Sequence, residues 1–262
     1  MPELPDVETF KRYIDSTALH KKIEKAQVTN EKILEDTQKD YLENSLHGEK
    51  FIESNRHGKY LFLKTTNDQW MIVHFGMTGF VKYFKDESDK PDHTRLLLHF
   101  DNDYFLSYDC QRMLGKINLI KNKEDYIKMQ GLGDDALKIS YELFEKKLKN
   151  RRGMAKSTLM NQSILSGIGN IYADEILFQS GIHPKTKMNH LNEDDFQNMY
   201  EKMQEIFDVA IKSQVDTDEF PKTYIIPHRT KDGRCPKGDK KLEKTKVNGR
   251  TTYYCPVHQN KK

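Results

Sequence analysis

The chain opens Met1-Pro2-Glu3-Leu4-Pro5, residues whose types and order permit amine chemistry. Removal of Met1 leaves the secondary amine of Pro2 as the N-terminus. An α-amino group titrates near ~8 against ~10.4 for a lysine, so much more of it is unprotonated at neutral pH. Proline nitrogen is more basic than the generic amine, so its surroundings must lower that value. Pro5 supplies a means, because its fixed φ suits a first helical turn and a helix starting there points its positive end back at Pro2. Glu3 then lies within reach as proton donor and acceptor. An attacking amine beside a carboxylic acid is the equipment for Schiff-base chemistry on an aldehyde-like carbon. Met-Pro is also a cleanly processed start in many chains, so the remaining residues must decide.

Three further groups carry chemistry. Gly167-Ile168-Gly169-Asn170 joins two apolar-faced segments. Asn170 stands where a side chain caps the second one, and the free N–H groups of such a turn suit a phosphate; an ordinary helix-helix turn is the alternative. Cys255-Pro256-Val257-His258 is half of a metal site, and Cys235 lies upstream across a predicted hairpin. These give three zinc ligands. Position 238 is glycine, so Asp239 and His228 are the candidates for the fourth; a hairpin held by apolar packing without metal is the other reading. Between the cysteines, Arg250 follows the Asn248-Gly249 turn signal, an exposed setting that suits a phosphate contact.

The elements that must position these groups follow from periodicity. Val7, Phe10, Tyr13 and Ile14 recur at helical spacing, which predicts a helix from 5 to about 18. Short β-branched or aromatic segments follow around 51–53, 60–64, 70–75, 80–84, 95–100, 104–108 and 117–120, separated by turn signals. They predict an antiparallel sandwich. Helical patterns then cover 140–149, 155–165, 171–180 and 193–213, and the last forty or so residues return to short strands around Lys231-Asp232-Gly233 and Val247-Asn248-Gly249. The fold class is α+β and multidomain, with expected domains 1–125, 130–222 and 223–262.

With 262 residues the chain can bury sizeable cores. No apolar run approaches the ~20 residues of a membrane span, and no signal-peptide pattern opens the chain; a soluble cytoplasmic protein is expected. Three cysteines argue against a secreted disulfide framework. The net charge of +3 is unevenly divided: residues 221–262 hold 12 Lys and Arg against 3 Asp and Glu, the remainder 31 against 37. That tail suggests a nucleic-acid contact, a solvated lysine-rich tail being the alternative.

Taken together, Met1 to Glu8, Arg56-His57-Gly58-Lys59-Tyr60, His74-Phe75-Gly76-Met77-Thr78-Gly79, Asn161 to Pro184 and Gly249 to Gln259 resemble the formamidopyrimidine-DNA glycosylase and endonuclease VIII family. The landmarks run in the family's order from residue 1 to 259. The resemblance implies an N-terminal β-sandwich, a helix-two-turn-helix domain and a C-terminal zinc-finger hairpin, with damaged double-stranded DNA bound between the halves by a monomer. By position, Pro2 attacks C1′ of the damaged nucleotide, Glu3 shuttles protons and Lys59 contacts phosphate and assists catalysis. Lys156, Asn170 and Arg250 match phosphate-contacting positions, Arg250 also serving the second elimination. Met77, Arg112 and Leu114 match the residues that fill the duplex when a base is flipped out. The arginine-arginine-phenylalanine version of that set is not present. Structural zinc is expected on Cys235, Asp239, Cys255 and His258. The connection 213–223 is too short for the long loop with which 8-oxoguanine-specific members cover the flipped base, so formamidopyrimidines, oxidised pyrimidines or abasic sites are the expected targets. A damage-binding protein on the same scaffold with little catalysis is the alternative; a zinc-ribbon RNA-binding protein accounts only for the basic tail.

Overall fold

The computed structural model describes residues 1–260. They form two compact units, one of residues 1–2 and 6–130, the other of residues 3–5 and the chain from 131 onward. No helix among the described residues is long and apolar enough to cross a membrane.

The first unit is the predicted sandwich. Helix α1 (Leu4–Thr17) buries Val7 and Ile14 on one face. Strand β1 (Ile23–Val28) and helix α2 (Lys39–Leu46) follow, then β2 (Phe51–His57), β3 (Tyr60–Thr65), β4 (Trp70–His74), β5 (Gly79–Phe84), β6 (Thr94–Phe100), β7 (Phe105–Cys110) and β8 (Lys116–Ile120). They make two four-stranded sheets, ordered β2-β3-β4-β8 and β1-β6-β7-β5, in which every pairing is antiparallel. Leu61, Leu63, Met71 and Val73 of one sheet share a core with Leu96, Leu98, Leu106 and Tyr108 of the other, as inward-facing alternation requires. Phe62 and Ile72, on the opposite face, pack with Trp70 and with Tyr126 of α3 (Lys123–Met129).

Two elements of this unit lack a sequence signal for physical reasons. A register shift between Ile23 and Lys25 breaks the alternation of β1, leaving Ile23, Ala26 and Val28 buried at uneven spacing. Helix α2 buries only Leu42 and Leu46 and has no side-chain cap.

The second unit runs through β9 (Asp134–Asp135), α4 (Tyr141–Leu148), α5 (Ala155–Leu159), β10 (Leu165–Ser166), α6 (Asn170–Gln179), α7 (Glu193–Lys212), β11 (Glu243–Val247) and β12 (Arg250–Tyr254). A capping box between Asn192 and Asp195 starts α7. Its Phe196, Met199, Met203, Ile206 and Phe207 join a core with Phe144, Leu148, Leu159 and Ile176. Helix α5 is shorter than the pattern to 165 suggests. The Asn161 side chain accepts hydrogen bonds from the Ser163 N–H (3.0 Å) and hydroxyl (2.8 Å), turning the chain into β10, which pairs in parallel with β9. The β11–β12 hairpin has its turn at Asn248-Gly249, with φ of 46° and 76°, as an Asn-Gly pair favours. Cys235, Leu242, Cys255 and Ile225 pack under it with Phe178 of α6, so hairpin and helices share one unit.

Candidate active site

Glu3 is 1 % exposed, and both of its carboxylate oxygens are held. It accepts hydrogen bonds from the backbone N–H groups of Gly169 (2.9 Å), Ile171 (2.9 Å) and Tyr172 (3.2 Å), while the Leu4 N–H donates to the Gly167 carbonyl at 3.1 Å. A carboxylate at the N-terminus of α6 satisfies donors that the helix leaves open and meets its positive end. Side chains at 167 and 169 are excluded, because a Cβ there would overlap Leu4 and the Glu3 carboxyl group respectively. The Gly-x-Gly-Asn turn therefore holds Glu3 instead of presenting open N–H groups to a phosphate. Nor does Asn170 cap α6: the N-cap is Gly169, and Asn170 is the first helical residue. Its buried Oδ1 has no hydrogen-bond partner among the described residues. Half-buried Pro2 directly precedes this anchored stretch.

Within the sandwich unit, Arg56 is 2 % exposed. Its Nε donates to Glu8 Oε2 at 2.9 Å and its Nη1 to the Gly58 carbonyl at 2.9 Å. One guanidinium thus ties α1 to the Gly58-Lys59 loop joining β2 and β3, which fixes where Lys59 begins. His74 closes β4 beside the Tyr60 ring, at 4.8 Å between centroids. Burial, and after it the charge of Lys59, pushes the imidazole down to about 4. At neutral pH the ring is uncharged, with Nδ1 facing the Gly76 N–H at 3.3 Å and Nε2 consequently carrying the proton. The motif around His74 is legible in sequence; the state of its ring is set by burial.

Met77 and Leu114 are exposed by 38 % and 49 %, and Arg112 is exposed as well. The Arg112 N–H donates to Thr78 Oγ1 at 3.1 Å, joining the two loops that carry them. The structure therefore brings together the three residues proposed to fill the duplex.

Lys156 stands elsewhere than expected. It is fully buried, its ammonium 2.6 Å from Asp174 Oδ1 in an ion pair, with further donation to Thr252 Oγ1 (2.8 Å) and the Thr251 carbonyl (3.2 Å). The ammonium is committed inside the protein to one ion pair and two hydrogen bonds. Its matched role as a phosphate contact is corrected on that ground. Arg250, by contrast, is exposed at the start of β12.

The four expected zinc ligands do not converge. Cys235 and Cys255 are buried together, burial and then the neighbouring Cys255 thiol pushing the Cys235 thiol up. Asp239 turns outward to Arg234, at 3.3 Å with its side chain 84 % exposed, and the His258 ring lies against Phe178, centroids 5.3 Å apart. Among the described residues no three His, Cys, Asp or Glu side chains form a group able to hold a metal. Two thiols do not make the closed tetrahedral set of a structural zinc site, so the residues present do not fit zinc. What clamps the segment after β12 is Gln259, 2 % exposed, whose Oε1 accepts from the Cys255 N–H and whose Nε2 donates to the Ile182 carbonyl, both at 2.9 Å.

A sandwich followed by a helical unit in which the Glu3 carboxylate caps α6 defines a class, the helix-two-turn-helix proteins with a leading β-sandwich. Residues 1–117 match the formamidopyrimidine-DNA glycosylase N-terminal domain and residues 132–221 the H2TH domain of the same proteins. The chain belongs to the formamidopyrimidine-DNA glycosylase family. It is 31 % identical to the formamidopyrimidine-DNA glycosylase of Mycoplasmopsis pulmonis, over 100 % of this chain and 99 % of that protein. The Ureaplasma parvum protein of the same name is 33 % identical, over 99 % and 100 %. Among solved structures, Lactococcus lactis Fpg in complex with abasic-site DNA is similar with a TM-score of 0.88 at 28 % identity, covering 99 % of this chain and 100 % of that one.

Proposed function

We propose that the protein is a bifunctional DNA glycosylase and abasic-site lyase of base excision repair, acting on damaged double-stranded DNA. The observation that carries this reading is the anchoring of Glu3 by three backbone N–H groups of the α6 turn, which holds the residue after Pro2 in one place. Family relatives bear the glycosylase name, and L. lactis Fpg is complexed with abasic-site DNA and with DNA containing N7-benzyl-Fapy-dG.

The Pro2 amine, freed of Met1, attacks C1′ of the flipped nucleotide. The C1′–N bond breaks, the base leaves with a proton, and an iminium joins Pro2 to the opened sugar. Glu3 moves protons during this step. The iminium acidifies the C2′ proton; its loss expels the 3′ phosphate by β-elimination, and loss of the C4′ proton then expels the 5′ phosphate. Lys59, Asn170 and Arg250 hold phosphates, and Arg250 meets the charge that develops on the second one to leave. Met77, Arg112 and Leu114 occupy the space vacated by the flipped base. The residues between α7 and the hairpin are held down, because Phe220 and Tyr224 bury their rings in the helical core. That supports ring-opened or oxidised bases other than 8-oxoguanine, and abasic sites, as preferred targets. Pro2, Glu3 and Lys59 together disfavour a purely binding role.

Borohydride reduction in the presence of an abasic-site duplex tests the reading. The expected result is a covalent protein–DNA adduct, absent from Pro2→Gly and from protein retaining Met1. Native protein with a free Pro2 amine that binds the duplex and yields no adduct would refute the lyase assignment.

A further inference from the structure

The charge buried behind the hairpin is not used by the reaction as described. Lys156 of α5 pairs with Asp174 of α6; Asp174 Oδ2 also accepts from Arg229 Nη2 (2.8 Å), Arg229 Nε (3.1 Å) and the Tyr253 N–H (3.1 Å). The Arg229 guanidinium carbon lies 5.4 Å from the centroid of the Tyr253 ring. On the hairpin side the ammonium reaches the Thr251 carbonyl and Thr252 Oγ1, and Thr252 Oγ1 donates onward to the Arg250 carbonyl at 3.1 Å. Four successive residues of β12 are thus tied, through one lysine and one aspartate, to α6. That helix also holds Asn170 and caps itself with Glu3.

We propose that the Lys156–Asp174–Arg229 network is a positioning device that fixes Arg250 relative to the turn carrying Asn170 and Glu3, and so governs the second elimination without serving base excision or the first strand cut. The assignment rests on the role of Arg250 given above. A plain core ion pair would fix no particular strand. Here every hydrogen-bond partner on the hairpin is backbone, or a hydroxyl bonded to the backbone of Arg250 itself. The side chain that meets the departing phosphate therefore inherits its placement from groups that never touch DNA.

The test uses the full-length protein on a duplex containing a preformed abasic site, separating the β-elimination product from the β,δ product on a gel. Thr252→Val keeps the shape of the side chain and removes the relay to Arg250; Asp174→Asn keeps the shape and removes the charge, and thermal melting checks that each is folded. Small displacements of a reacting group cost orders of magnitude in rate, so the δ-to-β product ratio should fall about tenfold or more in each variant while the first cut stays within about twofold. In an Arg250→Ala background neither substitution should change the ratio further. A folded Thr252→Val with the wild-type ratio, a first cut slowed as much as the second, or effects that add to those of Arg250→Ala would each overturn the proposal. Wild-type protein that fails to nick the duplex at all would instead remove the enzymatic reading on which it rests.

Discussion

His74 stays neutral over a pH range in which most histidines gain a proton, and this makes it a stability element as well as a site residue. Its folded-state value of about 4 lies below the ordinary 6.5. Between those values the unfolded chain binds a proton that the folded protein refuses, so stability is full above about 6.5 and is lost as pH falls toward 4, by up to roughly 3 kcal/mol. Glu175 works the other way. Burial raises it to about 7 from 4.5, so its contribution is present at low pH and is lost as pH rises through 7. Comparing wild type with His74→Gln cancels the Glu175 effect. The wild-type protein should lose more stability than the variant between pH 6.5 and 4 in urea melts, and parallel curves for the two would show that the imidazole is not held neutral. At this scale the sequence carries identities well and environments poorly. Type and spacing single out Pro2, Glu3 and Arg250 as candidates, whereas Lys156 reads as a DNA contact because burial at 0 % leaves no mark on a single lysine. Asn170 reads as a cap because the side chain that meets the helix's free N–H groups, Glu3, is remote in sequence.

Among the elements, those with regular periodicity are the ones the sequence discloses: the sandwich strands, α1, α7 and the Asn-Gly hairpin. Helix α6 buries Tyr172 through Phe178 without interruption, so it shows no polar stripe. The bulge that breaks β1 removes the alternation that would reveal it. The hairpin illustrates a different limit, since its cysteines invite a metal reading while its packing answers otherwise. Apolar contacts among Phe178, Ile225, Cys235, Leu242 and Cys255 hold it, and the Gln259 amide locks it to Ile182. A chelator that removes zinc should therefore leave the melting temperature of the full-length protein unchanged. Gln259→Ala should lower it, because the Cys255 N–H and Ile182 carbonyl both lose a buried partner, at about 1–3 kcal/mol each. At ~2–4 °C per kcal/mol for a chain of this size, the drop is readily measured by calorimetry. A chelator-induced fall in melting temperature, with one equivalent of zinc in the purified protein, would restore the metal site.

The whole molecule separates its charges more than its net +3 suggests, since in residues 221–262 Lys and Arg outnumber Asp and Glu by nine. Binding to a polyanion is then a matter of local contacts, each releasing counterions, and not of overall attraction. Lys59 belongs to the first compact unit and Arg250 to the second, so in the proposed function each unit brings a phosphate contact of its own. Measured against salt, log affinity for an abasic-site duplex should fall linearly, and Lys59→Gln or Arg250→Gln should each reduce the magnitude of the slope by about one. The double variant should reduce it by about two if each side chain neutralises a phosphate of its own. Asp174→Asn, which alters only buried charge, should leave the slope at the wild-type value even where it shifts the elimination products. That contrast separates a group that touches phosphate from one that positions such a group. A slope unaffected by Arg250→Gln, in protein whose melting curve is intact, would mean that the hairpin arginine meets no phosphate, and the charge of the tail would then need another purpose.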